Sequence, residues 1–73
     1  MSKYRPVKVN GFLKVLKKFY NCEFVSIRGS HLKIVKGSLH STVIVNEREL
    51  RPDQVMYILK DLSIEWDEFE QYL

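Results

Sequence analysis

Cysteine is almost missing from this chain: Cys22 stands alone among 73 residues, so no disulfide can close within it. One cysteine and two histidines also fall short of the four-ligand sets of structural zinc sites, and the expectation is a protein without metal or cofactor. No apolar run approaches the roughly 18 residues of a membrane span, and the opening "MSKYRPVKVN" lacks the apolar stretch of a signal peptide. These absences predict a soluble, cytoplasmic chain with no membrane contact. Length sets a further limit, because a chain this short buries only about 60% of its unfolded surface. The expectation is one domain spanning residues 1–73, with any chemistry on a surface or in a shallow groove completed by the substrate.

Acidic residues are scarce in the first half. Up to residue 40, nine Lys and Arg face Glu23 alone, a local charge of +8. Beyond it, Arg48, Arg51 and Lys60 stand against eight acids, a local charge of −5 that leaves +3 overall. A basic face suits a polyanion, with the acidic end turned away from it. Solubilising charge that happens to segregate explains the same count equally well.

What is present falls into periodic segments. Asn10 reads as an N-cap before "GFLKVLKKFYN", where Phe12, Val15, Leu16 and Phe19 fall on one helical stripe. Lys14, Lys17 and Lys18 lie off that stripe, as a solvated face or as phosphate contacts, and Asn21 suits a left-handed helix end. From Cys22 the period becomes twofold through "CEFVSIR", a Gly29-Ser30 turn, "HLKIVK", a second turn in "KGSLHS" and "TVIVN". This predicts a three-stranded antiparallel meander. One face is expected to carry Val25, Ile27, Leu32, Ile34, Val43 and Val45 beneath the helices. The other is expected to carry Ser26, Arg28, His31, Lys33 and Thr42 with Phe24, Val35 and Ile44. A one-residue slip at the Gly29 turn would move every side chain of the second strand to the opposite face.

A second helix is predicted to start near Pro52, with Asp53 against its dipole and Val55, Ile58, Leu59 and Leu62 on its apolar stripe. A short helix in "EWDEFEQYL" follows, with Trp66 and Phe69 as core or interface anchors. The expected class is α+β, with two layers and one sheet face left open.

On that open face the stretch "RGSHLKIV" carries the residues suited to metal-free RNA cleavage. The reaction needs a base for the ribose 2′-hydroxyl, an acid for the leaving 5′-oxygen and cations for the phosphorane. His31 suits the proton transfers because an ordinary imidazole titrates near neutral pH. Arg28 and Lys33 suit the charge, and Ser30 can hydrogen-bond the histidine or the substrate. An exposed histidine on a solvated sheet face fits the same residues, as does a noncatalytic RNA-binding module. His40 reads as a solvated loop residue and Cys22 as a small apolar filler at the helix end.

Three segments together resemble the HicA (YcfA-like) family of small mRNA interferase toxins. "RPVKVNGFLKVLKK" is similar to the family's opening Arg-Pro-x-x plus capped helix, and "EFVSIRGSHLK" to its strand leading into Arg-Gly-Ser-His. "ELRPDQVMYILKDLSIEWDEF" is similar to its Glu-Leu-x-Pro helix and Ile-x-x-x-Glu-Phe tail. The resemblance implies a double-stranded-RNA-binding-domain-like two-layer sandwich, ordered α-β-β-β-α with a short C-terminal helix. It implies ribosome-independent endonuclease activity on mRNA, with His31 catalytic, Gly29 and Ser30 forming the turn that presents it, and Arg28 as the preceding basic residue. It also implies a toxin–antitoxin system in which a cognate HicB-type antitoxin covers this surface in a hetero-oligomer. Two positions depart from the pattern. Leu32 stands where many relatives carry a second histidine, and Asn21 where relatives often carry glycine.

Overall fold

The computed structural model describes residues 3–73. In chain order the elements are β1 (Val7–Lys8), α1 (Val9–Tyr20), β2 (Glu23–Arg28), β3 (His31–Lys36), β4 (Leu39–Ile44), β5 (Glu49–Leu50), α2 (Pro52–Asp61) and α3 (Trp66–Glu70). β2, β3 and β4 form an antiparallel sheet in sequence order, and β1 pairs with β5 in a separate two-residue ladder. Ile34 and Val43 on one sheet face are buried, whereas Val25 and Ile44 on the other are 50% and 40% exposed. The helices therefore cover one face only, an α+β arrangement with the second face bare.

α1 starts at Val9, before the expected Asn10 cap, because its first turn is tied down from outside. β1 pairs with β5, and the Val9 N–H donates to the Arg48 carbonyl at 2.8 Å, which satisfies one of the helix's unpaired first-turn donors. Val9, Phe12, Val15 and Leu16 are buried. Phe19, expected in the core, is 46% exposed and instead stacks on the Tyr72 ring with centroids 3.9 Å apart. Asn21 does end the helix in the left-handed region at φ 55°, and the Cys22 N–H reaches back to the Leu16 carbonyl at 3.2 Å.

α2 behaves as its stripe predicts, with Val55, Ile58, Leu59 and Leu62 all buried. At its start the Arg51 N–H donates to the Gln54 Oε1 at 2.8 Å. The Arg51 side chain bonds Asp53 at 3.2 Å and holds that carboxyl below its ordinary pKa. α3 then docks through rings on α1 and on the segment before β1: Phe69 lies 5.1 Å from Phe12 of α1, and Trp66 lies 5.5 Å from Tyr4. Two exposed ion pairs, Lys3–Asp67 at 4.0 Å and Arg5–Glu70 at 3.7 Å, run alongside. Such pairs contribute about 0–1 kcal/mol each, against about 1.5–3 kcal/mol for burying a Phe, so the rings hold α3 in place. The acidic end thus packs on the helix layer, away from the bare sheet face.

The first strand corrects the expected faces. Val25 and Ile27 are exposed on the bare side, at 50% and 55%, while Phe24 packs against the core and Ser26 also lies on the helix side. β2 pairs Phe24 with Ile34 and Ser26 with Leu32, which puts those side chains together on the helix-covered face. The faces of β3 and β4 are as expected for Leu32, Ile34, Val43 and Val45. Phe24 to Ile27 of β2 are reversed, and the register shift at a bulge between Ser26 and Arg28 returns Arg28 to the expected bare face.

Candidate nucleic-acid interface

The bulge decides where Arg28 points. Continuing the regular register would pair Ile27 with His31 and leave Arg28 on the same face as Phe24 and Ser26, under the helices. The one-residue shift instead makes Arg28 the direct partner of His31, which re-aims the guanidinium onto the bare face. Directly opposed residues have Cα atoms about 5 Å apart, so the imidazole and guanidinium are neighbours.

Gly29 and Ser30 close the hairpin between them. Gly29 adopts φ +53°, a conformation that L side chains rarely take, as the first residue of a two-residue hairpin loop. The Ser30 carbonyl accepts the Val45 N–H at 2.8 Å, which extends the β3–β4 ladder beneath the turn and pins it. Lys33 stands two residues beyond His31, on the same face and roughly 7 Å further along the strand. It is flanked by Val25 on β2 and Thr42 on β4. The structure thus brings Arg28, His31 and Lys33 to one end of the bare face, with Gly29 and Ser30 as the turn that presents them.

His31 and Arg28 are exposed and Lys33 is half-buried. Among the described residues no side chain hydrogen-bonds the His31 imidazole, and the Ser30 hydroxyl bonds neither the histidine nor any other described residue. Orientation of the ring therefore falls to whatever binds there. Around the three polar groups lie Val25, Ile27, Val35 and Ile44, an aliphatic surface with cations at the turn end and Glu23 at the other. The outward placement of Val25 and Ile27 is opposite to the face expected from alternation, and it is the first strand of the meander, not the second, that is turned over.

Other candidate residues lie elsewhere. His40 is on β4, not in the turn, exposed beside Val35 and roughly 13 Å along the strand from the His31 level. Lys17 and Lys18 rest their ammonium groups over the Phe24 and Phe19 rings, at 5.9 and 5.5 Å, on the helix side, and Lys14 is exposed on the same helix. Cys22 is buried, and burial raises its thiol pKa against a smaller opposing effect of Lys36, which leaves it a poor nucleophile. Among the described residues no group of three His, Cys, Asp or Glu side chains is placed to hold a metal ion. No described helix is long and apolar enough to cross a membrane. A groove of about 1280 Å³ lies between the start of α1 and the loop of Asn46, Glu47 and Arg48. It mixes Lys8, Arg48 and Arg51 with Glu47 and Glu49 and contains neither histidine.

No protein-family model, no curated protein and no solved structure matches this chain.

Proposed function

We propose that this chain is an endoribonuclease toxin of the HicA type, with His31 as its general acid/base and with no metal in the reaction. The observation that carries the proposal is the pairing of His31 with Arg28 across a bulged hairpin, with Lys33 beside them on an uncovered sheet face. In this reaction the ribose 2′-oxygen attacks the adjacent phosphorus as its proton leaves, and the bond to the 5′-oxygen breaks as that oxygen is protonated. An imidazole serves either proton transfer near neutral pH, while Arg28 and Lys33 neutralise charge on the phosphorane oxygens.

The fold reading belongs to the same proposal. A helix, a three-stranded antiparallel sheet and a further helix, with both helices on one sheet face, support a double-stranded-RNA-binding-domain-like sandwich. The bare, partly aliphatic face supports a HicB-type antitoxin as the partner that covers it, and the setting is then the cytoplasm. Incubating the purified protein with an unstructured RNA in the presence of a chelator tests the activity: shortened RNA is expected. RNA that is retarded on a native gel yet stays full length supports the runner-up, a noncatalytic RNA-binding module. That second reading draws on one specific observation, that no described side chain orients the His31 ring.

A further inference from the structure

The two edges of the central sheet are built differently. β2 is broken by its bulge and carries Glu23 and Arg28, features that discourage another strand from pairing with it. β4, Leu39–Ile44, is regular over all six residues and contains no Lys, Arg, Asp, Glu or Pro. A groove of about 480 Å³ runs along it, floored by His40 to Ile44 and walled by Gln54, Tyr57, Ile58 and Asp61 of α2. Tyr57 is 61% exposed on that wall.

The direction of the free backbone groups on β4 follows from one hydrogen bond. The Val45 N–H donates to the Ser30 carbonyl, so Val45 points its backbone inward, and alternation turns Val43, Ser41 and Leu39 inward with it. The N–H and C=O groups of His40, Thr42 and Ile44 therefore point out of the sheet into the groove. Three residues with six outward polar groups make an edge that is complementary to itself. When two copies pair antiparallel about a twofold axis through Thr42, Thr42 meets Thr42 of the second copy, and His40 of each meets Ile44 of the other. That register closes six backbone hydrogen bonds and opposes no like charges.

We propose that β4 is a homodimerisation edge, joining two copies of this chain into one six-stranded antiparallel sheet centred on Thr42. The central Thr–Thr pair is a favourable cross-strand contact. The edge is only about 20 Å long, which places the interface at the small end of specific contacts and makes the dimer concentration-dependent. A twofold axis perpendicular to the sheet keeps both bare faces on the same side. With three strand spacings and four residues of offset between them, the two His31 positions lie roughly 19 Å apart on one continuous surface. The dimer rests on the β4 edge alone and stands or falls separately from the nuclease reading.

Sedimentation equilibrium over a wide concentration range tests it, together with amide hydrogen exchange at the two extremes. The expected result is a mass rising from 8.7 kDa toward twice that value, with the Thr42 and Ile44 amides gaining protection at high concentration. Thr42→Lys, which opposes two like charges at the axis, should hold the protein monomeric while Thr42→Val leaves the dimer intact, both with unchanged circular dichroism. A monomer at every concentration, a dimer that leaves those amides unprotected, or a Thr42→Lys variant that still dimerises would overturn the proposal. So would an edge that pairs only with a strand of another protein.

Discussion

The chain makes the same hairpin turn twice, as Arg28-Gly29-Ser30-His31 and as Lys36-Gly37-Ser38-Leu39. Both put a basic residue before a glycine of positive φ, +53° and +62°, and both pair the residues that flank the turn. Yet the first sends its flanking pair to the bare face and the second sends its pair to the helix side, where Leu39 packs against the core. Strand length is the cause: His31 and Lys36 are five positions apart, an odd number, so they must lie on opposite faces. The turn sequence alone makes no site. What distinguishes the first turn is a histidine on the uncovered side and a bulge that brings an arginine round to meet it.

Exchanging the histidine between the turns breaks the comparison with the largest effect. The double variant His31→Leu with Leu39→His keeps a Gly-Ser-His sequence, now in the second turn, and should lose about 10²–10⁴-fold in RNA cleavage rate, the range of a general acid/base contribution. Cleavage retained within a fewfold would mean that the motif acts wherever it is placed.

The glycines sharpen the comparison in stability. At both there is open space where a side chain would start, so Gly29→Ala and Gly37→Ala are resisted by the left-handed backbone and not by crowding. Each should cost about 1–2 kcal/mol in denaturant unfolding. Only Gly29→Ala should also weaken RNA binding per folded molecule, because it alone disturbs the turn that carries Arg28 and His31.

A smaller effect separates the two basic residues. Arg28→Gln should reduce the salt dependence of RNA binding by about 0.7 in the slope of log K against log salt, the increment for one phosphate contact on a single strand. Lys36→Gln should leave that slope unchanged. Lys36 instead acts on the buried side, where its charge partly offsets the upward push of burial on the Cys22 thiol. Its removal should therefore raise the Cys22 pKa further, read as thiol alkylation rate against pH. Because folding favours the protonated thiol, the Cys22 contribution to stability is present below its ordinary pKa and is lost as pH rises through the folded value.

Helix stripes were the most legible part of the sequence. Val55, Ile58, Leu59 and Leu62 repeat often enough that no single contact can move them off the core, and Asn21 supplies the helix end that its tolerance of positive φ suggests. The start of α1 was not legible, since it is set by a two-residue ladder to Glu49 and Leu50, far along the chain. Phe19 escaped for a related reason: its cover, Tyr72, comes from the end of the chain. The faces of β2 were the costliest uncertainty. A strand with Phe24, Val25 and Ile27 is apolar on both faces, so alternation could not choose between them, and the bulge that places Arg28 has no glycine to announce it. In the site, Arg28, His31 and Lys33 were legible as neighbours, while the aliphatic surface of Val25 and Ile27 around them was not.

The central claim is that His31 performs proton transfer on an RNA held by the face it shares with Arg28 and Lys33. Single-turnover cleavage of an end-labelled RNA in the presence of a chelator, by the wild-type protein and by His31→Ala, tests it most directly. With circular dichroism and RNA affinity near wild type, His31→Ala should cleave about 10²–10⁴-fold more slowly. Cleavage by the alanine variant at the wild-type rate would contradict the claim.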